Sequence, residues 1–188
     1  MNVSLATEET KLITGEELFA MGNIGRCELI DGRIIPMSPT GIHHAYIEFN
    51  LGGELRNFVR KHKIGWVGGG EAGIYIQRNP DRVRGADVIF LSREKFPQGI
   101  PEDGFLETAP DLVVEVMSPS DTWQEVREKI GEYFSVSATW VWIVEPDNRA
   151  ILVYHTPTSF TEYVEGDVLK GEGTLEGFEV RIADIFEK

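Results

Sequence analysis

Apolar positions recur along this chain with two periods. From 43 to 62, Ile47, Leu51, Leu55 and Phe58 return every three or four residues, which predicts an amphipathic helix. The double glycine at 52 and 53 weakens it, at about 1 kcal/mol per glycine relative to alanine. Val126, Ile130 and Phe134 predict a second helix over about 121–135. Between and after these lie short runs apolar on both faces: Ala86 to Leu91, Asp111 to Met117 and Trp140 to Val144, the pattern of interior strands. Cys27 to Ile30 and Arg33 to Met37 flank Asp31-Gly32, a hairpin signature. Trp66-Val67 and Gly73 to Gln77 read as extended segments around a glycine-rich bend, and Pro146-Asp147-Asn148 as a turn into a strand over 150–154.

At the ends, Thr14-Gly15-Glu16-Glu17 has the form of a capping box opening a short helix. Residues 160–188 read as short strands with a last helical turn near Ile182 to Phe186. The order predicts an α/β (α+β) domain, a mixed sheet with helices on its faces and added hairpins. Strand 111–117, helix 121–135 and strand 140–144 have the length of a right-handed crossover. One domain over 1–188 is expected, with residues 1–11 flexible.

Composition narrows the function classes. A single cysteine, Cys27, forms no internal disulfide or cysteine zinc site. With no secretory pattern at the start and no apolar run near 20 residues, a cytoplasmic protein without membrane contact is expected. The net charge of −13 argues against an extended nucleic-acid surface. Residues 56–84 nonetheless hold seven basic residues (Arg56, Arg60, Lys61, Lys63, Arg78, Arg82, Arg84) against only Glu71 and Asp81. They form either a helix C-terminus followed by solvated loops or a local phosphate-contacting edge.

Two interior strands each carry one acid in an apolar run, Asp87 and Glu115. A buried carboxylate left unpaired costs several kcal/mol or a large pKa shift, so something must compensate. A divalent cation is one answer, since Mg²⁺ takes carboxylate oxygens together with substrate phosphates. An arginine such as Arg84 beside Asp87 is the other. Lys129, on the helix after the second acid, could reach back over that strand; on spacing alone it makes an i, i+4 surface pair with Glu125. Gly68-Gly69-Gly70 has no following Lys-Ser/Thr and is not a phosphate loop, and His43-His44 lacks the His-Glu-x-x-His zinc spacing. Trp123, Trp140 and Trp142 read as core or interface, and with the apolar C-terminal strands they suggest a homodimer.

Five stretches carry a resemblance: CELIDGRIIPMSPTGIHH, RGADVIFLS, APDLVVEVMSPSD, REKIGEYFSVSATWVWIVEPDNRAILVYH and FEVRIADIF. Together they resemble the Uma-type restriction-endonuclease-like family, mainly cyanobacterial, within the PD-(D/E)XK nuclease superfamily. The most specific part is DLVVEVMSPSD followed by EKIGEY. The resemblance implies a restriction-endonuclease-like fold and an Mg²⁺- or Mn²⁺-dependent endonuclease hydrolysing DNA phosphodiester bonds. It also implies roles: Asp87 and Glu115 as the two motif acids that hold the metal, and Lys129 as the motif lysine, supplied from the helix because the usual position is Met117. Ala86 stands where the motif proline would precede the aspartate. Glu28, as a further metal ligand, and His44 match family positions that line the site, with Ser118 and Tyr133 as supports. A non-catalytic interaction protein on the nuclease fold, or a hydrolase of another nucleic acid or phosphate ester, stays open.

Overall fold

In the computed structural model, residues 11–187 are described. Of the N-terminal stretch expected to be flexible, all but Lys11 lies outside the described residues. Helix α1 (Gly15–Ala20) opens on the expected box: Thr14 Oγ1 accepts from the Glu17 amide at 3.1 Å and Glu17 Oε2 accepts from the Thr14 amide at 3.0 Å. Strands β1 (Cys27–Ile30) and β2 (Arg33–Pro36) form the hairpin. Its turn residues Asp31 and Gly32 both have positive φ (50° and 74°), the conformation for which Asp-Gly is selected.

Helix α2 (Ile42–His62) leads into β3 (Gly65–Gln77), a single 13-residue strand where a bend between two segments was expected. The glycines appear inside it as an irregularity: its register with β4 (Arg82–Ser92) shifts between Gly69 and Ala72, with Gly70 and Glu71 at positive φ. Strand β5 (Leu112–Val116), helix α3 (Trp123–Ser135) and β6 (Trp140–Glu145) form the expected crossover, with β5 and β6 parallel. Helix α3 starts two residues later than the apolar pattern suggested, because Thr122 is its N-cap and forms a box with Glu125. Strands β7 (Ala150–Thr156) and β8 (Ser159–Val164) extend the sheet. A two-stranded ladder of β9 (Val168–Lys170) and β10 (Glu179–Arg181) precedes α4 (Ile182–Phe186), the helical turn expected there.

The main sheet is ordered β2-β1-β4-β5-β6-β7-β8, with β3 on β4. It is antiparallel throughout except for β5–β6. Each face is covered by one long helix. Ile47, Leu51, Leu55 and Val59 of α2 pack on Val88, Phe90, Val114 and Trp142, together with Phe178, Ile182 and Ile185 from the C-terminal segment. Val126, Ile130 and Tyr133 of α3 pack on Ile89, Val113 and Ile143. Fully burying side chains of this size stabilises by about 1.5–3 kcal/mol each. Trp142 is buried, and Trp123 and Trp140 pack against the two cores, so these side chains lend no support to the expected homodimer. Among the described residues no helix is long and apolar enough to cross a membrane.

The topology creates one gap. Strand β3 runs along one edge of β4, and the other edge is shared by two strands. β1 meets it at Val83, and β5 meets it at Val88 to Phe90. Residues 84–87 of β4 lie in the fork between them. Side-chain alternation also breaks there: Ala86 and Ile89 face α3, whereas Val88 and Phe90 face α2. Strict alternation would put 86 and 88 on one face, so β4 turns at Asp87, opposite the irregularity in β3.

Two glycines with opposite surroundings test the packing. A methyl at Gly53, in mid-helix, meets nothing within 4 Å, whereas one at Gly65 would lie 2.1 Å from the Leu91 carbonyl oxygen. Gly53→Ala is expected to stabilise by about 0.5–1 kcal/mol and Gly65→Ala to destabilise by about 1–3 kcal/mol, both read by urea denaturation.

Candidate active site

The fork collects buried acids, and each strand delivers one. Asp87 and Glu28 are both 4% exposed. Glu115 follows Val114 on β5, and the β4–β5 register carried one step beyond Val88↔Val114 sets it opposite Asp87. The ladder ends there because the Asp87 side chain replaces a backbone acceptor: Oδ2 takes the Val116 amide proton at 2.7 Å.

Two groups form around these acids. On the α2 side, His44 Nε2 lies 3.3 Å from Asp87 Oδ2, and His44 Nδ1 lies 3.9 Å from Glu48 Oε2. One ligand atom from each of His44, Glu48 and Asp87 falls within 4.8 Å of the others, a spacing that could hold a metal ion. His44 Nδ1 is buried and has no hydrogen-bond partner, an orphaned donor or acceptor facing this cluster. Burial pushes the Glu48 carboxyl up, and Asp87 adds to the rise. Burial works to lower the His44 imidazole, but the Asp87 carboxylate outweighs it and the net direction is up.

On the α3 side, Lys129 Nζ lies 3.1 Å from Glu115 Oε2 and 3.5 Å from Glu28 Oε1, while the Tyr133 hydroxyl donates to Glu115 Oε1. Burial raises Glu115 to about 7; the Asp87 charge adds to this and Lys129 opposes it. For Lys129 burial acts downward, but the carboxylates of Glu115 and Glu28 more than offset it. Burial and then the Glu115 charge hold the Tyr133 hydroxyl well above the ordinary phenol range, so it is a donor.

The expected residues therefore divide. Asp87 and His44 meet in one group, and Glu115, Lys129, Tyr133 and Glu28 in the other, one strand away. Arg84 does not pair with Asp87: it binds Glu28 Oε2 at 2.7 Å and Glu132 Oε2 at 2.6 Å, because it faces α3. Glu28, expected as a metal ligand, has its oxygens directed at Arg84, Lys129 and the Gly85 amide. Lys129 does not pair with Glu125, whose carboxylate accepts from Thr122 at the start of α3. Met117, two residues after Glu115, packs against the α3-side core, and the amine arrives from α3 instead. Ser118 lies in the turn after β5, its hydroxyl 3.0 Å from that of Ser120 and apart from both groups. Glu48 was not anticipated. Its signal was available: His44 and Glu48 are four residues apart on a predicted helix, hence on one face.

The two groups border cavities of very different size. Glu48 lines a cavity of about 610 Å³ with Arg26, Gly70 and Glu71. Glu115 and Lys129 line a smaller one of about 40 Å³ with Asp121 and Glu125.

The family model described as "Uma2: Putative restriction endonuclease" matches residues 16–183. This chain belongs to the Uma2 family. No curated protein matches it. Among solved structures it is similar to a "putative nuclease belonging to DUF820 from Anabaena variabilis ATCC 29413", at 19% identity and a TM-score of 0.75, covering 93% of this chain and 97% of that one. At that identity the likeness concerns the fold, and the expected mixed sheet flanked by helices is that fold. The Uma2 description supports a nuclease, and the fork acids lie in the part of the chain that the family model covers.

The raised Glu115 has a consequence for the metal-free Uma2 chain. A carboxyl whose folded pKa exceeds its unfolded value contributes stability that is complete below the unfolded pKa and lost as pH rises through the folded one. With 4.5 as the ordinary value and about 7 in the fold, stability should fall by about 3 kcal/mol between pH 4.5 and 7 from this group alone. Glu115→Gln should flatten that slope in denaturation curves taken across the window; an unchanged slope would remove Glu115 as its source.

Proposed function

We propose that this Uma2 chain is a divalent-metal-dependent endonuclease that hydrolyses DNA phosphodiester bonds at the β4 fork. The observation that carries this reading is the convergence of His44, Glu48 and Asp87 ligand atoms within 4.8 Å, one strand from a Glu115–Lys129 pair. Two carboxylates and an imidazole suit Mn²⁺ well and accept Mg²⁺, whose preference is for oxygen. The orphaned Nδ1 of His44 gives the cluster a free ligand atom. When bound, the ion supplies Lewis-acid polarisation of the phosphoryl oxygen.

The chain's own groups supply the rest. Glu115, held near neutrality by burial, is matched to accept a proton from the attacking water. That water's oxygen forms a bond to phosphorus as the opposite P–O bond breaks. The Lys129 ammonium stays charged beside its carboxylates and neutralises charge developing on the phosphate. Tyr133 holds the second oxygen of Glu115, and Glu28, fixed by Arg84, holds Lys129 from the other side. The large negative charge of the chain limits the affinity of any extended contact with a polyanion.

Calorimetric Mn²⁺ titration combined with plasmid cleavage and hydrolysis of bis(p-nitrophenyl) phosphate tests the proposal. The wild type should bind Mn²⁺, and Asp87→Asn or Glu48→Gln should weaken binding by at least about tenfold. Lys129→Ala should keep the metal and lose about 10²–10³-fold in hydrolysis. Equal Mn²⁺ binding by wild type and both acid variants, or full hydrolysis in EDTA, would sink the reading. Metal binding without hydrolysis of either substrate would leave a non-catalytic nuclease fold.

A further inference from the structure

A groove of about 580 Å³ lies along β3 from Gly65 to Gly73, and Leu106, which pairs with β3 around Gly73 to Tyr75, closes one end of it together with Gly104. Arg56, Arg60 and Lys63 stand along it, with Arg93 above the Trp66 ring at 4.7 Å. Not one acidic residue lines it, in a chain with 31 of them. Among the described residues, Arg56, Arg60 and Lys63 take part in no ion pair, although lysines and arginines form 16 such pairs with carboxylates elsewhere.

Helix chemistry accounts for only part of this. Cations in the last turn of α2 offset its negative end, and Arg60 belongs to that turn. Arg56 lies a turn earlier, and Arg93 follows β4 on another element. Holding these like charges together without counter-charges costs free energy by mutual repulsion, and a polyanion bound between them would relieve it.

The floor leading from the groove to the fork is bare. Gly68 lines the groove, Gly70 donates its amide to Glu48 Oε1 at 3.2 Å, and Gly69 lies between them. A methyl on Gly69 would come within 3.1 Å of the Asp87 carbonyl oxygen and 3.6 Å of Glu48 Oε1. On α2, Glu48, Gly52 and Arg56 follow one i, i+4 row, again with no side chain in the middle. From Trp66 to Gly70 the strand advances about 13 Å, close to the rise of four nucleotides along one B-form strand.

We infer that this groove binds the phosphodiester backbone of a nucleic-acid strand a few nucleotides from the bond presented at the fork, with Arg56, Arg60 and Lys63 on the phosphates. The inference rests on the nucleic-acid reading proposed above and adds to it where the flanking strand lies. It also locates the polyanion contact on a single edge of an otherwise acidic molecule, and so predicts few phosphate contacts.

The test is DNA binding by the full chain in EDTA, read by fluorescence anisotropy across a salt series with a labelled oligonucleotide. Arg56→Gln/Arg60→Gln/Lys63→Gln should bind at least about tenfold more weakly at low salt, and its slope of log affinity against log salt should shrink by about two to three. A control with the same charge change on remote exposed lysines and arginine, Lys11→Gln/Lys170→Gln/Arg181→Gln, should keep the wild-type slope. Wild-type affinity and slope in the groove variant would overturn the inference, as would equal losses in both variants or no DNA binding by the wild type. A groove variant that melts earlier yet binds DNA normally would reduce the cluster to dipole compensation. Because these readings need no metal, they separate from the proposed activity: cleavage of the small diester with an unaltered groove variant rejects the groove alone, and a groove effect without any hydrolysis rejects the nuclease alone.

Discussion

The end of the β4–β5 ladder at Asp87 is the constraint on which the rest of the site depends. A backbone carbonyl would have continued the pairing and filled the sheet. Instead a carboxylate oxygen accepts the Val116 amide proton, β4 turns, and the edge between β1 and β5 stays open. That single substitution of acceptor keeps Val116 satisfied, as a buried amide must be, while Asp87 stays with His44 and Glu48 on the α2 side and Glu115 and Glu28 meet Lys129 on the α3 side.

Those acids are expensive to bury, and the chain compensates each by a different means. Glu28 is clamped by Arg84, which is itself held by Glu132 on α3. Glu115 has an ammonium on one oxygen and a phenol on the other, yet burial still keeps it near neutrality. Asp87 has a backbone amide and an imidazole, and next to it stands Glu48 with a raised carboxyl and no cation of its own at hydrogen-bond distance. The network is thus fully paired on the α3 side and under-compensated on the α2 side. An external cation would find uncompensated negative charge only on the α2 side, because complete internal pairing leaves nothing for an ion to neutralise.

The same reasoning extends to the basic groove, which is the mirror case: positive charge without internal partners, on a protein with a large negative excess. The glycines of β3 link the two. Their lack of side chains looked like a bend between strands, but the strand is continuous and the glycines clear its surface from Trp66 to the acid cluster.

Sequence by itself determined the elements. Period and punctuation placed both long helices, the Asp-Gly hairpin, the crossover and the final helical turn, because each depends on neighbours a few residues away. It also singled out Asp87 and Glu115, since an acid inside an apolar strand is anomalous without any knowledge of the fold. Tertiary structure decided the partners. Whether Arg84 meets Asp87 or Glu28, whether Lys129 meets Glu125 or Glu115, and whether Glu48 joins His44 at the fork all depend on which faces α2 and α3 present across the sheet. Local sequence places His44 and Glu48 on one helix face but cannot encode the other choices, because ion pairing follows distance through space, and Lys129–Glu115 and Arg84–Glu28 lie 14 and 56 residues apart along the chain.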